Sequence, residues 1–403
     1  MNASSSLPTV TLKPKKEVPL LGGHPWVFSG GVAREPKDLA PGSLVKVISN
    51  YGDELGIGTY NPLTNIRVRM ITRDTSVTID TEFFAKRFAE LDAWKQNHLP
   101  KDTNGYRLVC AEADDLPGLI IDRYDSTFVF QLHTAGMEHF RQEIIDALTK
   151  TFHPAAIVER SDIEVRKQEG LTTMPVTTHL GTVPEFVPFK ENGHIFHADV
   201  MRGQKTGFFL DQRDARDEVG KLSKNKRVLN LFSYTGAFSI YAAKNGASFV
   251  TSVDVSDQAI NQAKDQFRAN GLDPEDTSHS AFIAADIFDY TTNKPPAHGP
   301  YDLIVCDPPA LAKTEAHIFN ASKAYVSLNQ LCFSLLQKGG ILVTSSCSGR
   351  ITQEAFRDIL RIAAGRAQKK VKILKWITQA ADHAESLAFT EGRYLKTAIL
   401  EVV

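Results

Sequence analysis

Little in this sequence announces a familiar class of protein. It has four cysteines in 403 residues, Cys110, Cys306, Cys332 and Cys347, with no CxxC pair and no histidine close by at zinc-ligand spacing. That argues against a structural zinc site and against a disulfide framework, and a reduced, cytoplasmic protein is expected. No run of about eighteen apolar residues occurs, so no membrane-spanning helix is expected. The opening MNASSSLPTV lacks the apolar stretch of a signal peptide and reads as a disordered tail over residues 1–7. A net charge of −1 leaves no global basic signature, so nucleic-acid contacts would have to come from local patches. There is no internal repeat, and no low-complexity tract beyond the serines at 4–6.

A further absence lies inside the most structured stretch, KRVLNLFSYTGAFSIYAAKNGASFVTSVDVS at 226–256. An apolar strand, a tight loop, a helix closed by Asn245-Gly246 and a second β-rich strand follow one another, which is a βαβ unit. The GxGxxG fingerprint is missing. Gly236 is the one glycine in the turn, so the backbone has no second site at which to crowd a pyrophosphate. Asp254, eighteen residues after Gly236, ends the second strand, where an acid can grip a ribose diol. A nucleoside without phosphates, such as S-adenosylmethionine, suits this loop better than a dinucleotide does. Phe232, Ser233, Tyr234, Thr235 and Gly236 would line it.

The chain before this unit divides by pattern. Residues 1–74 hold short alternating strands broken by Gly and Pro, as in a small β-barrel. They carry nine Lys/Arg against six Asp/Glu. Lys13, Lys15 and Lys16 cluster, and Arg67 and Arg69 share a strand face at i, i+2. These could form a phosphate-contacting surface or an ordinary solvated one. Residues 75–189 read as a small α+β unit. Its helix over 80–98 is capped by Asp80 or Thr81 and striped by Phe84, Phe88, Leu91 and, less strictly, Trp94. Cys110 is expected to be a core thiol. In Lys205-Thr206-Gly207-Phe208-Phe209-Leu210-Asp211-Gln212-Arg213, Phe208 could lie against an adenine while Lys205, Gln212 and Arg213 meet the methionine carboxylate or RNA. The alternative is a hairpin and a helix capped by Asp211.

Residues 190–403 read as a doubly wound α/β domain. Asp286 ends its third strand and could accept from an adenine amine. The fourth strand, YDLIVC, is wholly apolar and therefore central, and it stops at Asp307-Pro308-Pro309 on the ligand-binding edge of the sheet. There Asp307 could bond a nucleobase edge while the prolines hold the backbone rigid. The fifth strand runs into Ser345-Ser346-Cys347-Ser348-Gly349 and presents Cys347 at the same edge. A thiolate is what carbon 5 of cytosine needs, because that carbon attacks a methyl donor only after a nucleophile has added to C6. Cys306 and Cys332 read as packed. Residues 350–375 carry eight Lys/Arg and two acids, either an RNA-facing patch or a solvated helix face.

Taken in order, HPWVFSGG, LPGLIIDRY, KTGFFLDQR, NLFSYTGAFS, VDVS, DPPA, SSCSG and EGRYLK resemble the PUA-containing RlmI-type ribosomal RNA cytosine-5 methyltransferases over nearly the whole chain. The resemblance implies three domains: an RNA-binding PUA barrel over 1–74, a small middle domain over 75–189 and a Rossmann-like class I methyltransferase domain over 190–403. It implies S-adenosylmethionine as cofactor, 23S ribosomal RNA as partner and substrate, Cys347 as nucleophile and Asp307 as base-orienting acid, in a cytoplasmic protein; a homodimer is a candidate assembly. Two departures stand out. Ala310 occupies the position after the motif prolines where many RNA cytosine-5 enzymes carry a second cysteine; the RlmI-type family, like this chain, has only the later one. Asp382-His383-Ala384 replaces the family's Asp-His-Pro. Methylation of a base nitrogen, or RNA binding with S-adenosylmethionine held but not turned over, are the competing readings.

Overall fold

The computed structural model describes residues 7–292, 298–312 and 315–403. The chain packs as two compact units: 1–189 with 197–210 and 381–392, and 190–196 with 211–380 and 393–403. The division expected at residue 190 is therefore crossed more than once, and a segment near the C-terminus belongs with the first unit.

The first unit holds two sheets. One has six strands in the order Trp26–Phe28, Ile66–Thr72, Glu54–Tyr60, Leu44–Ile48, Thr9–Leu12, Val32–Arg34. Alternation along Leu44–Ile48 buries Val45 and Val47 and leaves their neighbours half-buried, the period of two that a one-faced sheet requires. The other sheet orders Thr177–Gly181, Ala156–Glu159, Thr127–Leu132, Leu119–Tyr124, Gly105–Cys110. Helices Thr81–His98 and Arg141–Phe152 pack with it around one apolar core.

Asp80 caps the first of these helices by accepting from the Phe83 amide at 3.0 Å. The buried stripe runs Phe84, Phe88, Leu91, Lys95, while Trp94 is 41% exposed and stacks on His98. Trp94 is thus not part of the core face. Lys95 takes the next position because its ammonium is fully paired: it donates to both Asp114 oxygens, at 3.3 and 3.0 Å, and to the Asp382 carbonyl at 2.8 Å. Asp382 also accepts from the Arg107 amide at 2.8 Å, and Phe389 packs on Trp26 with ring centroids 4.8 Å apart. These contacts bind 381–392 to the first unit. Cys110 is half-buried rather than core, its thiol pushed up to about 11 by burial.

The second unit is organised by one seven-stranded sheet: β1 (Arg227–Leu231), β2 (Phe249–Asp254), β3 (Ser280–Ala284), β4 (Tyr301–Cys306), β5 (Leu336–Ser346), β6 (Val371–Ile377) and β7 (Lys396–Val402), in spatial order 3-2-1-4-5-7-6. The first five strands are parallel, and β7 runs antiparallel between β5 and β6. Both faces are covered, so successive apolar residues enter different cores. Leu229, Leu231, Ile304, Cys306 and Leu342 join the core that takes in helices α4 (Ile318–Leu335) and α5 (Gln353–Arg366). Val228, Leu303, Val305 and Val343 join the core with α1 (Arg213–Leu222) and α2 (Ala237–Lys244). Such two-sided burial is why LIVC reads as a continuous apolar run. Helix α3 (Asp257–Ala269) follows β2, capped by the Ser256 hydroxyl accepting from the Ala259 amide at 3.2 Å.

Candidate active site

Parallel pairing fixes which residues meet at the carboxyl edge. Leu231 is level with Val253 and with Cys306, and Cys306 with Thr344. The next residues along, Phe232, Asp254 and Asp307, therefore leave the sheet side by side, and Cys347 follows three residues after Thr344 on β5. The strand order reverses at β1 and β4, which is where open α/β sheets form their ligand crevice.

The loop after β1 is conformationally unusual. Phe232, Tyr234 and Gly236 have φ of 58°, 46° and 79°. Two of these are bulky residues in a region that only glycine enters freely, and strain of this kind gathers at ligand sites. The loop is held by its neighbours: the Ser233 amide donates to the Val253 carbonyl at 3.0 Å and the Tyr234 amide to Asp254 Oδ2 at 2.8 Å. Gly236 serves packing. A Cβ there would stand 2.8 Å from Cβ of Ala263 on α3. The second oxygen of Asp254 accepts from the Ser256 amide at 3.0 Å. Asp286 lies two residues beyond β3 and is exposed; its Oδ1 accepts the Phe288 amide at 2.8 Å and so starts the helical turn Ile287–Thr292.

Asp307 is half-buried, with Pro308 buried and Pro309 exposed after it. Gln212, only 5% exposed, donates its amide to both Asp307 oxygens, at 2.9 and 2.8 Å. Cys347 is half-buried just past the end of β5. Cys306, fully buried, faces Cys332, and that contact together with burial holds its thiol far above the ordinary range; Cys332 is core. Among the four cysteines, Cys347 alone sits at the sheet's rim.

Lys396, which sequence reasoning passed over as part of a motif, belongs to this edge. It opens β7 opposite Ser346, is 3% exposed, and donates to the carbonyls of Ser348 and Ile351 at 2.7 and 2.5 Å. A lysine beginning an antiparallel edge strand carries no signal of burial; only its pairing with β5 reveals it.

Other candidates are placed elsewhere. Phe208 is buried in the first unit, edge-on to Phe189 with centroids 5.0 Å apart, and the Lys205 ammonium sits over the Phe209 ring in the same unit. Arg213 is 1% exposed on α1, and its Nε lies 3.8 Å from the buried Glu191, which also pairs with Arg216; it is a core cation. Asp211 does not cap α1. It lies in the turn before the helix and accepts from the Tyr394 hydroxyl at 2.7 Å. Arg69 is 9% exposed and paired with buried Glu169 at 2.7 Å, and Arg67 is held by Glu35 at 3.0 Å, so neither offers a free cation to a phosphate. Lys13, Lys15 and Lys16 are exposed. In the 350–375 patch, Lys375 is paired with Glu218 and Arg361 with Asp358, while Lys369 donates to the Leu336 carbonyl. His383 is 1% exposed beside Asp382 in the first unit. A cleft of about 680 Å³ between strand Ile66–Thr72 and helix Thr81–His98 is lined by charges of both signs and by none of the sheet-edge residues.

The edge asks for a polar ligand. Ser233 Oγ, Thr235 Oγ1 and Gln212 Oε1 are buried without a hydrogen-bond partner, an arrangement that costs stability unless something else bonds them. Hydroxyls and an amide beside an acid suited to a ribose fit a nucleoside with an amino-acid tail, which is S-adenosylmethionine. Among the described residues no cluster of His, Cys, Asp or Glu could hold a metal, and no helix is long and apolar enough to cross a membrane.

Comparison with known proteins agrees. Residues 176–366 match the family model of S-adenosylmethionine-dependent methyltransferases, and residues 10–73 match a PUA-like domain. A crystal structure of a methyltransferase complexed with SAH superposes with a TM-score of 0.82 at 27% identity, covering 98% of this chain and all of the other. A methyltransferase from Streptococcus mutans gives 0.80 at 26% identity with the same coverage. Fold and site thus define a class I, S-adenosylmethionine-dependent methyltransferase carrying an N-terminal PUA-like domain. Ribosomal RNA large subunit methyltransferase I of Escherichia coli strain SMS-3-5 is 39% identical over 384 residues, 94% of this chain and 96% of its own. That of Klebsiella pneumoniae strain MGH 78578 is 39% identical over 395 residues, 97% and 98%. The chain belongs to the ribosomal RNA large subunit methyltransferase I family.

Proposed function

We propose that this protein methylates carbon 5 of a cytosine in large-subunit (23S) ribosomal RNA through a covalent bond between Cys347 and C6 of the base. The observation that carries the reading is the side-by-side exit of Asp307 and the strand leading to Cys347, from adjacent parallel strands, next to the loop after β1. S-adenosylmethionine, when bound, supplies an electrophilic methyl group. Asp254 would hold its ribose and residues 232–236 its amino-acid side; Asp286, exposed with one oxygen uncommitted to its helical turn, is available to the adenine. Asp307, fixed by Gln212, accepts from the cytosine amino group or from a protonated N3. The Cys347 thiolate bonds C6, and the C5–C6 π pair shifts toward C5, making that carbon nucleophilic. Once C5 carries the methyl group, with the thioether S-adenosylhomocysteine as leaving group, transfer of the C5 proton to a base re-forms the C5–C6 double bond and expels the thiolate. The PUA-like domain and the exposed Lys13, Lys15 and Lys16 would position RNA, in a cytoplasmic enzyme built of barrel, middle and catalytic domains.

The test is incubation with labelled S-adenosylmethionine and protein-free ribosomal RNA, followed by nucleoside analysis. 5-Methylcytidine is expected from the wild type and none from Cys347→Ala. A methylated base nitrogen, or full turnover by Cys347→Ala, would refute the covalent route; binding without transfer would refute the enzyme.

A further inference from the structure

We propose that Lys396 is a positioning residue: its buried ammonium pairs with the Cys347 thiolate and pins the turn that carries it. The inference rests on Cys347 being the nucleophile. Three features of the structure support it. Lys396 lies opposite Ser346 in the β5–β7 ladder, so its side chain starts beside the residue preceding Cys347. Its Nζ donates to the carbonyls of Ser348 and Ile351, the residue after Cys347 and one three further on, so one side chain spans the turn out of β5. An ammonium has three donors, and two are committed to these carbonyls. Carbonyl partners supply no counter-charge; among the described residues no carboxylate pairs with Lys396, and a fully charged lysine 3% exposed without one is costly.

Two forces act on the Lys396 proton. Burial draws its pKa down to about 8, and the Cys347 thiolate works against that fall. Groups facing this corner include Tyr325 of α4, whose hydroxyl is 3.4 Å from Ser348 Oγ and which feels both Cys347 and Asp307, Asp307 itself at the end of β4, Tyr394, whose Cβ would stand 3.8 Å from a Cβ at Gly349, and Arg350 in the turn. Tyr325 is raised, chiefly by burial, and stays neutral across the working range. Lys396 thus supplies the positive charge that lets the half-buried Cys347 exist as thiolate. The cation also has a place after attack: it stabilises the thiolate as leaving group when the C6–sulfur bond breaks.

The test reads the thiol directly. Cys347 alkylation by iodoacetamide is followed against pH in the cofactor-free protein by peptide mass analysis, with Cys347→Ser as background. An opposite charge at short range moves a pKa by roughly one to three units. Lys396→Met and Lys396→Gln should therefore raise the alkylation midpoint by about one unit or more, a loss of at least about tenfold in thiolate below both midpoints. Lys396→Arg should stay near wild type. Gln keeps a donor for the two carbonyls without the charge, so a wild-type midpoint in folded Lys396→Gln would overturn the pairing and leave only a tether. Should Met unfold, as read by thermal melting, Gln against Arg still decides. Retained turnover by Cys347→Ala would remove the nucleophile reading and leave the alkylation shift standing, so the two ideas fail separately.

Discussion

Gln212 holds Asp307 by both carboxylate oxygens, its amide nitrogen 2.9 Å from one and 2.8 Å from the other. This fork fixes the plane of the carboxylate before any base arrives. It also leaves Gln212 Oε1 buried and unbonded at the same edge. Replacing Gln212 by Leu keeps the volume and removes the clamp. Hydrogen bonds to charged groups contribute about 1.5–3 kcal/mol, so kcat should fall on the order of ten- to a hundredfold. Affinity for S-adenosylmethionine, read by calorimetry, should also fall, by about tenfold or less, because the unbonded Gln212 oxygen is lost with the clamp. Gln212→Glu should be worse, since a second carboxylate beside Asp307 raises the pKa of the pair. Unchanged single-turnover rates in both variants would show that Asp307 needs no orientation.

The loop after β1 should be sensitive through Gly236. Alanine there must adopt φ of 79° and place a methyl group 2.8 Å from Cβ of Ala263. Left-handed backbone at a non-glycine residue costs about 1–2 kcal/mol before the clash is counted. Gly236→Ala should lower the melting temperature and weaken S-adenosylmethionine binding together, because α2 must shift away from α3. Asp254→Asn should separate the two effects. An amide oxygen can still accept from the Tyr234 or Ser256 amide, but the charge that favours a ribose diol is gone, so affinity should drop by about tenfold with a smaller change in melting. Equal melting and equal affinity in Gly236→Ala would contradict the packing role.

These residues also mark how far the sequence could be read. The strand-loop-helix-strand unit around Gly236 and the apolar run before Asp307 declare themselves locally, through periodicity and glycine and proline chemistry, and both lie where expected. What was hidden depends on residues distant in the chain. Lys396 looks like any basic residue opening a strand until β7 pairs with β5. Arg69 looks like half of a basic face until Glu169, a hundred residues later, neutralises it. The 381–392 segment reads as a loop of the last domain until Lys95 and Arg107 claim Asp382.

The Lys95–Asp114 pair gives a stability test in the first unit. Both side chains are out of water, and Asp114 also accepts from the Cys110 amide at 2.7 Å. Removing one partner of a buried pair leaves a charge without compensation and costs about 3–5 kcal/mol. Asp114→Asn should therefore destabilise strongly in urea melts. Lys95→Met with Asp114→Asn together should recover part of the loss, since the stripe of Phe84, Phe88 and Leu91 would then continue as an apolar face. A double variant no better than the single would mean that the Asp382 carbonyl, not the carboxylate, is the partner that matters.

His133 predicts an acid weakness with a defined window. Its ring is largely buried, Nε2 lies 3.2 Å from Gln131 Oε1, and burial first, then the guanidinium groups of Arg107 and Arg166, hold its pKa at about 4 against an ordinary 6.5. Between those values the unfolded chain takes a proton at this site that the folded chain refuses. Stability therefore falls as pH drops through about 6.5, and the loss levels off below about 4, where both states are protonated. The full shift corresponds to about 3.4 kcal/mol at 1.36 kcal/mol per unit, of which roughly 2–3 kcal/mol is lost between pH 7 and pH 4.5. His133→Gln keeps a polar group beside Gln131 and removes the titration. Carboxylates lend their own acid slope, so the informative quantity is the difference between wild type and variant in urea midpoints at pH 7 and at pH 4.5. The gap should move in the variant's favour by roughly that amount on acidification, and parallel pH profiles would show that the imidazole takes up its proton in the folded protein as readily as in the unfolded chain.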